Sequence, residues 1–98
     1  MTHSPWTADA RPANVRDMAL DSEAARLLKA FGLAVRRQRE RLGLSQEKFA
    51  LGAEIDRTYV SGVERGVRNP TVKMVAKLAL ALNTKPSRLF GAAERGAR

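Results

Sequence analysis

Arg57, Thr58, Tyr59 and Ser61 put hydrogen-bonding side chains close together in one short stretch of the chain. A guanidinium offers N–H donors in a rigid fork that matches the two acceptors guanine shows in the major groove. Arg57 therefore suits base readout, with a phosphate contact as its simpler use. Thr58, Tyr59 and Ser61 suit thymine methyls, sugars or phosphates, and Tyr59 equally suits a dimer partner. Catalysis lacks its parts. The one histidine, His3, lies near the N-terminus, there is no cysteine, and neither Ser45 nor Ser61 has a base beside it in sequence. The expectation is a binding protein, not an enzyme, with no catalytic residue, no cofactor and no metal.

Two short helices with a tight break are needed to present these side chains. Ser45 is placed to cap the first, accepting from an otherwise orphaned backbone N–H, and Glu47 sits where the helix dipole favours an acid. Phe49, Ala50 and Ala53 give that helix one apolar stripe. The pattern breaks at Glu54-Ile55, and Asp56 restarts it as a second cap. In the second helix Val60 and Val63 point inward, and the 100° step sends Thr58, Ser61 and Gly62 outward. Gly62 leaves room for close approach. So short a helix must be packed on its predecessor, leaving a convex, polar and basic outer surface. That is the form of a helix-turn-helix reading head.

The rest of the chain reads as scaffold around this head. Residues 1–21, with Pro5, Trp6 and Pro12, are expected to form a flexible arm with a short helical turn near Val15 to Leu20. A long helix starts at Asp21 or Ser22, carries Leu27, Phe31, Ala34 and Val35 at helical spacing, and stops at Gly43. Gly32 inside it is a weakness of roughly 1 kcal/mol against alanine. After a loop over residues 66–70, Thr71 caps a fourth helix with an apolar face of Val72, Val75, Leu78, Ala79 and Leu82, and Asn83 ends it. Pro86 opens a fifth with Leu89 and Phe90. Residues 91–98 are expected to fray. The fold class predicted is all-α, a compact five-helix bundle whose domain spans residues 22–90. Leu82, Leu89 and Phe90 are the expected dimer surface.

Composition agrees with a polyanionic partner. The 98 residues carry a formal net charge of +8, enough chain for one modest core. No apolar run is long enough to span a membrane, and the expected location is the cytoplasm.

The run from Gly43 to Thr71 closely resembles the helix-turn-helix of the phage repressor and Cro superfamily, which implies a lambda-repressor-like DNA-binding domain. Asp56 to Gly66, followed by Arg68-Asn69-Pro70, looks most like the controller proteins of restriction–modification systems. The resemblance implies phosphate contacts at Gln46, Arg68 and Asn69. Arg65 joins them as a more generic basic residue. It also implies an internal ion pair between Arg39 and Glu64, because phage repressors with this spacing tie their first helix to their third there. Glu54 departs from the pattern, standing where the family usually has Gly or Asn, so the turn is expected to be reshaped. The function expected is a sequence-specific transcriptional regulator, activator or repressor, binding a pseudo-palindromic site on double-stranded DNA as a homodimer. The alternative is an antitoxin that binds a partner toxin and autoregulates its operon.

Overall fold

The computed structural model describes the backbone of residues 13–97 and the side chains of residues 19–97. Among the described residues the chain forms five α-helices: α1 (Ala13–Arg41), α2 (Gln46–Ala53), α3 (Arg57–Glu64), α4 (Val72–Ala81) and α5 (Pro86–Gly96). Helix α1 packs on α5 and α3, α2 on α3 and α4, and α4 on α5. No described helix is long and apolar enough to cross a membrane.

Local chemistry sets most of the helix ends. Ser45 accepts from the Lys48 N–H at 3.0 Å, Asp56 from the Thr58 N–H at 2.8 Å and Thr71 from the Met74 N–H at 3.1 Å. Each satisfies a donor that the first helical turn leaves free. Gly43 ends α1 at φ 72°, with its own N–H on the Glu40 carbonyl and that of Leu44 on Arg39. This pair of bonds is a Schellman closure, and Gly accepts its left-handed residue without a Cβ clash. Asn83 closes α4 in the same way at φ 54°, with Thr84 bonded to Ala79 and Asn83 to Leu80.

The turn between α2 and α3 keeps this geometry with the wrong residue in it. Glu54 sits at φ 56° and ψ 47°, its N–H on Leu51 and that of Ile55 on Ala50. The expected reshaping does not occur, so Glu54 bears the left-handed conformation directly. Glu54→Gly is therefore expected to raise stability by roughly 0.5–1 kcal/mol, the relief of the Cβ clash less glycine's extra entropy in the unfolded chain. A thermal melt with an unchanged or lower midpoint would show that the turn stores no strain.

Buried residues from all five helices form one core: Phe31, Ala34 and Val35; Phe49, Ala50 and Ala53; Val60 and Val63; Val75, Leu78, Ala79 and Leu82; Leu89 and Ala93. Leu78 and Leu82 are fully buried, and each such side chain contributes about 1.5–3 kcal/mol. With only eight residues each, α2 and α3 depend on this packing to exist.

Several sequence expectations change here. Residues 1–12 of the expected arm, with Trp6 and His3, lie outside the described residues, but residues 13–21 are helical and α1 starts at Ala13. No proline or glycine interrupts that stretch, so nothing stops the helix from extending back to the residue after Pro12. The tail is also helical, to Gly96, because Ala93 repeats Leu89 one turn later and is wholly buried. Leu82 and Leu89 are 0% and 3% exposed, so neither is a free dimer surface. A helix as short as α5 must bury its single apolar stripe within its own chain, and Leu89 belongs to that stripe. Phe90 remains 40% exposed, its ring 5.2 Å from that of Phe31. Val72 is 87% exposed and outside the core, because it lies at the very start of α4.

Gly32 is no weakness. A Cβ there would lie 2.2 Å from the Val63 carbonyl oxygen and 2.7 Å from that of Glu64. The missing side chain is what lets α1 cross the end of α3 at backbone contact.

Candidate nucleic-acid interface

Helix α3 is held from beneath by its apolar side and from its C-terminal end by an ion pair. Val60 and Val63 are buried in the core. At the end of the helix, Arg39 of α1 grips Glu64 with two bonds, Nε to Oε2 at 2.6 Å and a terminal nitrogen to Oε1 at 3.0 Å. The third guanidinium nitrogen donates to the Leu44 carbonyl at 2.7 Å. Gln46 Nε2 adds a donor to Glu64 Oε1 at 3.0 Å, which brings α2 into the same junction. Both charged side chains are almost wholly buried, at 10% and 3% exposure. The Glu64 hydrogen bond raises the Arg39 guanidinium above its ordinary pKa, outweighing the opposing effect of burial. Bidentate geometry of this kind is the strong form of an ion pair.

The outward side of α3 presents the residues singled out from sequence. Arg57 and Thr58 are exposed, Tyr59 and Ser61 half-buried. Not all their hydrogen-bonding capacity is free. The Thr58 hydroxyl donates to Asp56 Oδ1 at 2.6 Å, which spends its proton and leaves its oxygen as an acceptor only. Ser61 Oγ accepts from Arg65 Nε at 3.3 Å, laying Arg65 back along the helix. Asp56 is held below the usual aspartate pKa, first by the Thr58 hydroxyl, then by the Thr58 N–H, with a smaller contribution from the charge of Arg68. Helix α3 thus begins on a carboxylate held in its charged form.

The residues expected at phosphates are distributed around this helix. Gln46 is the first residue of α2, and the backbone N–H groups of that first turn carry the partial positive charge of the helix dipole. Its amide is less free than expected, because one N–H is committed to Glu64. Arg68 and Asn69 are exposed in the loop before α4. Asn69 extends into solvent ahead of Pro70, whereas the Arg68 guanidinium lies 5.7 Å over the centre of the Tyr59 ring, at cation–π distance. Gly62 points outward by helical phase, yet it is buried, and its nearest neighbours are side-chain atoms of Arg68. Sequence reasoning placed Gly62 on the correct face and missed what covers it. The signal was available only as two small facts, a glycine on the reading face and an arginine six positions later.

Comparison with known proteins agrees with this geometry. Residues 35–89 match the model of a family described as helix-turn-helix. The control protein C.BamHI of Bacillus amyloliquefaciens is 40% identical over 61 residues, covering 61% of this chain and 75% of that protein. The crystal structure of the restriction–modification controller protein C.AhdI from Aeromonas hydrophila superposes with a TM-score of 0.62 at 48% identity, covering 66% of this chain and 97% of that one. The controller protein C.Esp1396I, solved as a tetramer in complex with its natural 35 base-pair operator, gives a TM-score of 0.66 at 30% identity, covering 72% and 93%.

Proposed function

The chain belongs to the helix-turn-helix family, and on that premise we propose that it is a sequence-specific transcriptional regulator of the restriction–modification controller type, binding a pseudo-palindromic operator as a homodimer. The observation that carries this reading is the exposed face of α3, where Arg57, Thr58 and Ser61 stand on a helix anchored at its other side by Val60, Val63 and Glu64. Such a face enters a major groove, where Arg57 at its N-terminal end reads a base and Gln46, Arg65, Arg68 and Asn69 hold phosphates. One head reads few base pairs, and pairing two heads supplies the missing affinity and specificity. Because Leu82 and Leu89 are buried, the self-association surface is assigned to Phe90 and to the exposed apolar residues of α4, Leu80 at 82% and Val72 at 87%. The role is binding in the cytoplasm, without catalysis. The relatives found are control proteins, which favours this reading over an antitoxin.

Selection of binding sites from random duplexes by the purified protein tests the reading, and should return two related half-sites in inverted orientation. Arg57→Ala should then cost about 1–3 kcal/mol on the selected duplex and broaden one base pair in each half-site, with a smaller loss on scrambled DNA. Gln46→Ala should weaken both duplexes nearly alike, because phosphate contacts carry no sequence information. Equal losses for Arg57→Ala on both duplexes, with the selected sequence unchanged, would reduce Arg57 to a phosphate contact and shift readout to Thr58, Tyr59 and Ser61.

A further inference from the structure

We propose that the groove between α1 and α5 is a docking site for a helix of a partner protein, one with an apolar stripe flanked by acidic residues. The two walls run antiparallel. Gln38, near the end of α1, donates to the Leu82 carbonyl ahead of α5 at 3.1 Å, while a Cβ on Gly96, the last residue of α5, would lie 3.8 Å from Ala30 Cβ. The groove between them encloses about 900 Å³. It lies apart from the reading head, and the inference does not rest on the regulator reading.

Charge identifies the occupant. Arg37, Arg41, Lys85, Arg88 and Arg95 line the groove, all exposed, and no acidic residue lines it. Among the described residues the ion pairs are Arg26–Glu23, Arg36–Glu40 and Arg39–Glu64, so none of the five cations is paired there. Operator binding does not use them either. Gly32 and Arg39 face α3, and the 100° step puts Ala30, Ala34, Arg37 and Arg41 on the opposite side of α1.

The floor between the charges is apolar, formed by Ala30, Ala34, Gly91 and Ala92 beside Leu33, which is 41% exposed. Such small residues let a third helix approach to about 8–10 Å from each wall. Gly91 points the same way. Glycine disfavours a helix, yet a Cβ there would meet nothing nearer than an Arg95 guanidinium nitrogen at 3.4 Å, an ordinary contact. No neighbour within the chain calls for the missing side chain, whereas a helix pressed onto the floor does. The arginine and lysine stems then cover the sides of the docked helix and set their charges on its flanking acids. A second copy presenting the same face would bring cations against cations, and a duplex would meet the rim and leave the floor uncovered.

The probe is a dye-labelled synthetic helix of about 16 residues, enough to span the groove, with leucine and alanine on one face and glutamate on both flanks. One control carries lysine for glutamate, and another has the same composition in scrambled order. Anisotropy titrations with the full chain should show the glutamate peptide bound about tenfold more tightly than either control, and more weakly as salt rises. Arg37→Glu combined with Arg88→Glu should weaken that binding by about tenfold or more. Gly91→Leu fills the floor. It should melt at the wild-type temperature or above, lose the peptide about tenfold, and hold the duplex selected by the wild-type protein within about twofold. The charge reversal does not depend on the fate of Gly91. A glutamate peptide that fails to bind at low salt, or binds no better than its controls, overturns the proposal. So does undiminished binding by the charge-reversed variant or by a folded Gly91→Leu. Two further results overturn it by assigning the groove elsewhere. Self-association in sedimentation that Gly91→Leu abolishes would give it to a second copy, and weakened binding of scrambled duplex with the peptide spared would give it to nucleic acid.

Discussion

Glu64→Ala is expected to lose about 3–5 kcal/mol of stability, a large part of what a domain of this size possesses. The cost is less the attraction removed than the charge left behind. Arg39 is 8% exposed and its guanidinium keeps its proton, so without Glu64 a cation stays buried with only the Leu44 carbonyl as partner. Arg39→Ala should cost a similar amount by stranding the carboxylate, which then has only Gln46. The double substitution should cost less than the sum, since each single change already destroys the pair. Thermal or denaturant unfolding of the three variants measures this directly. Small and additive losses would mean that water enters the junction and the pair contributes little.

Gly32→Ala is expected to destabilise by about 1–3 kcal/mol or more, although intrinsic propensity alone argues for a gain of roughly 1 kcal/mol. The sign is decided by what the new methyl meets. Its three nearest atoms, at 2.2, 2.7 and 2.9 Å, are backbone atoms of Val63 and Glu64, which cannot rotate aside. Helices α1 and α3 must move apart, and the Arg39–Glu64 bonds across the same crossing must lengthen with them. Unfolding midpoints for Gly32→Ala give the test, with Gly52→Ala as a control, because a Cβ at Gly52 meets nothing within 4 Å. A Gly32 variant as stable as the control would show that the crossing tolerates spreading.

The contrast between these glycines marks what can be read from sequence. Ser45, Asp56 and Thr71 could be identified as caps because a cap acts over two or three residues, within reach of any pattern. The core faces of α2 and α3 were legible for the same reason, their periodicity being local. Gly32 was misjudged because its purpose lies in Val63, far along the chain and close only after folding. Leu82 and Leu89 looked available for a partner because sequence shows that a residue is apolar and not which apolar surface it meets. The extension of α1 to Ala13 is legible only as a short turn near Val15 to Leu20, and that of α5 to Gly96 not at all, because neither stretch holds a strong signal of its own. In the candidate site the side chains of α3 were legible from the helical step. Two internal commitments were not, the Gln46 amide to Glu64 and the Arg68 stem to Gly62. Both depend on where a neighbouring element returns.

The junction at Glu64 also governs how the molecule meets a duplex that does not fit. One carboxylate takes hydrogen bonds from α1 and α2 while it terminates α3, so the three helices turn as a single stiff body. Recognition heads that cannot swivel cannot accommodate errors of twist or groove width. For the operator proposed above, the whole adjustment falls on the DNA, and its cost depends on how easily the intervening steps bend and untwist. Base pairs lying between the half-sites, touched by no side chain, would then affect affinity through their mechanical compliance alone.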